Sequence, residues 1–312
     1  MKMEQKNKRI KLNKSAIRYL GRCIGFLLML TVGYSAAFAT ELPGLLVDKQ
    51  WLVSNMDSSD VVVVDVRSTE QYKYSHILGA YNISIDKTYP RQGNRLLSIK
   101  AMKKLFEKAG ISNNKIVILY DDDYMSAPRM FWLLEVFGHV NKVGILDGGF
   151  PGWIRSNLPQ SSEIYEAKHD KFYPTVDPDR YITKMSILLA LKSSGMMVID
   201  ARSNNDYHGA EERTNGEVRV GHIPDAINIP WKENLSYIDG VPRIAPLAEL
   251  AELYTRVTEN VSVFLYDDDG KKAAVNYFAL RMIGKNAAIY GAGWNEWAQD
   301  VALPVVKFGS VN

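Results

Sequence analysis

Two copies of one α/β unit, each a mainly parallel sheet with helices on both faces, are the fold class that this sequence predicts. Three observations carry that reading. The string Leu-Tyr-Asp-Asp-Asp occurs twice, at Leu119 to Asp123 and at Leu265 to Asp269. Each copy closes an apolar run of the kind found in strands buried on both faces. Each run is followed by a helix-like stretch, and strands alternating with helices imply parallel neighbours joined by crossovers.

The first copy opens with a helix expected around Gly44 to Val53. Val61 to Val64, ahead of Asp65, reads as a fully buried strand. Asp65-x-Arg67-Ser68 then leads into a stretch at Glu70 to Tyr74, and His76-Ile77-Leu78-Gly79-Ala80-Tyr81-Asn82 follows. Met102, Leu105 and Phe106 share one face of a helix. Ile116 to Leu119 makes the next strand, and a helix over Ala127 to Phe137 ends at Gly138 as its C-terminal cap.

The second copy repeats this order. Thr183 caps a helix reaching Leu191. Val198-Ile199-Asp200-x-Arg202-Ser203 leads on to Gly221-His222-Ile223-Pro224-x-Ala226-x-Asn228. Leu247, Leu250, Leu253 and Tyr254 mark a helix, Val261 to Leu265 a strand, and Lys271 to Ile283 a helix capped by Gly284. The offset between copies is 135 at the Asp-x-Arg-Ser element, 146 at the Asp triplets and 144 at Trp153 and Trp297. Asn157 to Asp179, with Pro159, Pro174 and Pro178 and no sustained period, reads as the connection. The boundaries are a first domain over 44–157, a linker over 158–179 and a second domain over 180–306.

Residues 1–39 read as an export signal. Eight Lys or Arg stand in residues 1–22 against one acid, Glu4, an apolar run follows from Cys23 to Tyr34, and Ala37-Phe38-Ala39 fits a cleavage site before Thr40. The expected location is therefore outside the cytoplasm, in the periplasm. The alternative is an uncleaved N-terminal anchor, because the uncharged run from Cys23 to Thr40 is 18 residues long, at the lower edge of a bilayer span. Membrane contact is expected only through that leader.

Cleavage turns the net charge of +3 into −4, since 30 bases and 34 acids remain. Nucleic acid is not an expected partner, because no clustered basic surface survives. Cys23 is the only cysteine, so the processed chain has none, which excludes disulfides, thiolate metal sites and thiol catalysis. No cofactor and no metal are expected.

These landmarks together resemble the tandem rhodanese-like proteins, the thiosulfate and 3-mercaptopyruvate sulfurtransferase family. The matching elements are Asp200-x-Arg202-Ser203, Gly221-His222-Ile223-Pro224-x-Ala226-x-Asn228, the strand-loop-helix around Tyr266 to Ala273, and Gly293-Trp294-x-x-Trp297. The first copy adds Asp147-Gly148-Gly149-Phe150-x-x-Trp153 and Arg129-x-Phe131-Trp132-Leu133-Leu134. The resemblance runs from about Gly44 to about Pro304 and implies two tandem rhodanese-like domains.

In that family the second copy is catalytic, with a cysteine directly after the strand's aromatic residue. Here Tyr266 is followed by Asp267, so the resemblance places Asp267 at the nucleophile's position. Asp268, Asp269, Gly270, Lys271, Lys272 and Ala273 form the corresponding substrate-binding loop. Asp121 marks the first copy as the inactive type. Sulfur transfer needs a thiolate that can carry a sulfane atom, stabilised by loop amides and a helix N-terminus. A carboxylate has no such chemistry, and it can fill the anion cradle itself. A dianion such as thiosulfate, about 5 Å from Asp267 at an effective dielectric near 20, meets roughly 6 to 7 kcal/mol of repulsion before relief from Lys271 and Lys272.

Two function classes follow. One is a family member without persulfide chemistry, acting as a binding or accessory module for a small anion or a protein partner. The other is an enzyme with residual or altered activity, thiosulfate sulfurtransferase-like or with Asp267 as general acid or base. His76 and His222, and the Asp200 and Arg202 pair, read as structural. The triplets superficially resemble the Asp-x-Asp loop of haloacid-dehalogenase-like phosphatases, but Met125 and Lys271 stand where Thr or Val is expected. Solvated loop charges are the expectation for both triplets, ahead of a cation site.

Overall fold

The computed structural model describes residues 40–90, 96–210 and 219–307; the leader expected over 1–39 lies outside them. In the first half, β1 (Leu46–Val47) precedes α1 (Lys49–Asn55), β2 (Val61–Asp65), α2 (Thr69–Tyr74), β3 (His76–Ile77) and β4 (Tyr81–Asn82). A 3-10 turn over Ile85–Thr88 leads to α3 (Ile99–Lys108), β5 (Ile116–Tyr120), α4 (Ser126–Val136), β6 (Val143–Leu146), α5 (Gly149–Arg155) and β7 (Gln160–Ser161). The second half holds β8 (Tyr181–Ile182), α6 (Lys184–Ala190), β9 (Met196–Asp200), α7 (Asn204–His208) and β10 (Ile227–Asn228). A 3-10 turn (Trp231–Asn234), β11 (Leu235–Ile238), β12 (Val241–Ile244), α8 (Leu247–Leu253), β13 (Ser262–Tyr266), α9 (Ala273–Met282), β14 (Ala287–Tyr290) and α10 (Gly293–Trp297) complete it.

Each half is built on a five-stranded sheet, ordered β1-β6-β5-β2-β4 in the first and β8-β14-β13-β9-β10 in the second. Every pairing within them is parallel. The central register sets Asp65 opposite Tyr120 and Asp200 opposite Tyr266. Both Asp triplets therefore begin at the carboxyl end of the sheet's middle strand, where ligands of open α/β sheets gather.

The duplicated motifs make duplicated contacts. The Asp65 and Asp200 carboxylates accept from Arg67 and Arg202 at 2.7 and 2.6 Å, and each arginine also donates to a loop carbonyl, Ser75 or Gly221. Asn82 and Asn228 donate to the carbonyls of those same Asp and Arg residues. His76 and His222 stack on Tyr72 and Tyr207 at 3.8 Å, each with its Nδ1 at the tyrosine carbonyl. Trp153 and Trp297 each donate an indole N–H to a proline carbonyl, Pro159 or Pro304, at 2.9 Å.

Some boundaries differ from the sequence reading. The helix expected from Gly44 begins at Lys49, because Leu46 and Val47 pair with β6 as an edge strand and Asp48 caps Gln50 N at 2.7 Å. The helix expected from Lys271 begins at Ala273, because the amides of Lys271 and Lys272 are spent on loop carboxylates. The segment read as a connection lies along the first half. Its β7 pairs with β3, Phe172 is buried against Phe106 at 5.2 Å, and Thr175 N donates to Phe137 O.

Helices α4 and α9 pack against one another across the halves, with Phe131 edge-on to Phe278 at 4.9 Å. From Ala127 to Val136 every residue of α4 is buried, as befits a helix apolar almost all round. The largest hydrophobic cluster draws residues from both halves. A charge cluster sits in this buried seam. Glu135 accepts from Tyr277 at 2.5 Å, Arg180 at 2.8 Å and Arg281 at 3.0 Å, all from the second half.

Candidate functional site

The loop after β13 folds back on its first residue. Asp267 is completely buried, its Oδ1 accepting from Gly270 N at 2.5 Å and its Oδ2 from Lys272 N at 2.7 Å. Gly270, with φ +86°, supplies the left-handed turn beyond its own amide that brings the Lys272 amide round to the same carboxylate. The loop after β5 repeats the design, with Asp121 accepting from Tyr124, Ser126 and Ala127 N at 3.0, 2.7 and 2.8 Å and Tyr124 in the left-handed position at φ +58°. In each loop, inward-pointing amides ring a carboxylate that belongs to the chain itself.

The remaining predicted residues lie around this centre. Asp268 is paired with Lys272 Nζ at 2.9 Å, so that ammonium is engaged inside the loop. Asp269 accepts from Lys271 N at 3.2 Å, and Ala273 is buried at the start of α9. The expectation of solvated loop charges fails for the first residue of each triplet, because the ring of amides draws Asp121 and Asp267 inside; the second and third stay partly exposed. Among the described residues no group of three or more His, Cys, Asp or Glu is arranged to hold a metal ion. Trp294 is buried, and its ring lies 4.5 Å from the Arg202 guanidinium.

Burial, reinforced by Asp269 and Asp268, raises the Asp267 carboxyl to about 7 against the pull of its two amides. Asp121 is raised only to about 6, by burial and by Asp123, with three amides opposing. The difference follows the geometry, since Asp267 has one more carboxylate neighbour and one fewer amide donor.

The opposite side of the loop is closed by a glycine. Gly293, at φ +56°, lies so near the Asp267 carbonyl that a Cβ there would approach the oxygen to 2.3 Å; Gly149 stands in the same relation to Asp121. Gly293→Ala is expected to cost about 2 to 3 kcal/mol through overpacking and left-handed strain. Thermal unfolding of the variant checks this, and an unchanged Tm would contradict the contact.

Sequence reasoning missed Arg129 and Glu135 as parts of this region. The signal was present, because they are the only two charged residues in an otherwise apolar helix. Arg129 is 1% exposed and donates from Nη1 to Asp269 O at 3.1 Å, reaching the second half's loop from the first half.

The rhodanese-like domain model matches the chain twice, over residues 48–156 and 185–300. The chain belongs to the rhodanese-like domain family. It is 28% identical to the 3-mercaptopyruvate sulfurtransferase of Escherichia coli K12 over 83% of this chain and 96% of that one. It is 27% identical to a thiosulfate sulfurtransferase of Corynebacterium glutamicum over 84% and 90% of the two chains. The crystal structure of an Escherichia coli 3-mercaptopyruvate sulfurtransferase superposes with a TM-score of 0.71 at 26% identity, covering 80% of this chain and 99% of that one. This is a sulfurtransferase-like protein, and both rhodanese domains have the mainly parallel α/β architecture read from the sequence.

Proposed function

We propose that this rhodanese-family protein has given up persulfide-based sulfur transfer and serves outside the cytoplasm as a binding or accessory module. The observation that carries this reading is the Asp267 carboxylate, fully buried and hydrogen-bonded to the amides of Gly270 and Lys272. A persulfide would need that space and those donors, and a carboxylate oxygen cannot carry sulfane sulfur. Of the two partner classes, a protein partner fits better than a small anion, because the amides that would meet an anion are spent on Asp267. The Lys272 ammonium is likewise turned to Asp268. Export rests on the basic leader, the apolar run and Ala37-Phe38-Ala39. N-terminal sequencing of the secreted product, beginning at Thr40, is the result expected.

An acid or base role for Asp267 has in its favour a carboxyl raised to about 7. Against it stands complete burial, since proton transfer requires contact with the substrate. One assay separates the readings. The processed protein, given thiosulfate or 3-mercaptopyruvate with cyanide, is expected to release thiocyanate at the background rate, and Asp267→Cys is expected to raise it. Turnover by the native protein that Asp267→Ala abolishes would overturn the proposal.

A further inference from the structure

We propose that Arg129 is a positioning residue through which the first half holds the Asp267 loop of the second half in its self-filled conformation; this rests on the reading above that Asp267 occupies the loop's amides. One peptide unit, that joining Asp269 to Gly270, links the arginine to the carboxylate. Its carbonyl oxygen accepts from Arg129 Nη1 at 3.1 Å, and its N–H donates to Asp267 Oδ1 at 2.5 Å. Because the unit is planar and trans, its C=O and N–H point in opposite directions. The guanidinium on one edge and the carboxylate on the other thus hold the same plane from both sides. A cation on the carbonyl also polarises the amide and strengthens its N–H as a donor.

The surroundings leave the arginine little freedom. It is 1% exposed, its Cζ lies 4.1 Å from the Tyr89 ring centre and 5.7 Å from that of Trp132, and its buried Nε has no hydrogen-bond partner among the described residues. The side chain is therefore held by ring stacking and by the Asp269 carbonyl, even at the cost of an unsatisfied donor. A Cβ on Gly270 would stand 3.0 Å from Nη1, so the guanidinium is packed directly on the residue that makes the turn. Lysine cannot reproduce this, since it lacks a flat group that stacks and donates in its own plane. The second half returns an arginine to the first, but on different terms. Arg243 pairs with the side chain of Asp147, and both side chains are about a quarter exposed.

Amide hydrogen exchange of the processed protein tests the assignment, comparing wild type with Arg129→Met, Arg129→Lys and Arg243→Met. In Arg129→Met, Gly270 N–H is expected to exchange about tenfold faster or more, followed by Lys272, while Tyr124 and Ala127, held by Asp121, change by less than about twofold. Arg129→Lys is expected to fall between, and Arg243→Met to leave Gly270 unchanged. Unchanged Gly270 exchange in folded Arg129→Met overturns the proposal, and so does equal acceleration in both Asp loops, which marks general loosening. If Arg129→Met does not fold, the same criteria apply to Arg129→Lys, and failure of both to fold assigns Arg129 to the core instead. A wild-type Gly270 amide that exchanges like an exposed one would refute the self-filled loop itself, a separate failure.

Discussion

Glu135→Ala is expected to lower the stability of the folded protein by about 3 to 5 kcal/mol, the cost of removing one partner from a buried charge cluster. Glu135 is fully buried and takes hydrogen bonds from Tyr277, Arg180 and Arg281. Two guanidinium groups whose side chains are each 13% exposed would lose their buried anion, although Arg180 keeps Asp177 at 2.8 Å. The same cluster holds Tyr277 un-ionised, burial raising its pKa and Glu135 raising it further. In urea the midpoint should fall sharply at similar slope, and Tm should drop by roughly 10 °C. Replacing Glu135 and Arg281 together by leucine is expected to recover much of the loss, because apolar substitutes for a buried ion pair are often neutral or better. A cost for Glu135→Ala below about 1 kcal/mol, the range of an exposed pair, would show that water reaches the cluster.

That cluster was hidden in the sequence for a definable reason. Glu135 stands out as a charge in an apolar helix, but its donors Arg180, Tyr277 and Arg281 lie far from it in the chain, so its partners could not be read. The duplicated motifs behaved differently. Asp200-x-Arg202 and the Asn228 that follows make short-range contacts within one strand-turn unit, and the first half repeats each at Asp65, Arg67 and Asn82, so repetition exposed them. The structural readings of His76 and His222 agree with their stacking on tyrosine.

Elements failed where pattern has no length to act on. β1 and β3 have two residues each, too few for a period, and β11 with β12 forms a hairpin that the sequence reading passed over. The start of α9 was misplaced because propensity cannot foresee that a carboxylate will claim the amides of its first turn. For the Asp267 loop, residue types suggested an occupied cradle, but which amides point inward is set by the fold of the loop, which turns Gly270 N and Lys272 N to the carboxylate. Arg129 was marked by its charge in an apolar helix, but the loop carbonyl it reaches lies 140 residues further along the chain.

The Asp267 carboxyl should also leave a signature in stability against pH, opposite in sign to that of an ordinary salt-bridged aspartate. Its folded-state pKa of about 7 lies above the ordinary value of 3.8. Between those limits the folded chain keeps the proton and the unfolded chain has released it, so stability falls as pH rises. The contribution is fully present below about pH 4 and gone above about pH 7, and its full range is about 4 kcal/mol. Asp121, raised to about 6, works in the same direction, whereas His139, lowered to about 4 by burial, works in the opposite one. Total stability is therefore a poor readout. The difference between wild type and Asp267→Asn, measured by urea unfolding from pH 4 to 8, removes the terms common to both. Asparagine carries no proton to release and keeps one oxygen for an amide, so wild type should lose ground against the variant steadily across this range. A flat difference, or one in which wild type gains toward pH 8, would mean that Gly270 and Lys272 hold the carboxylate ionised throughout.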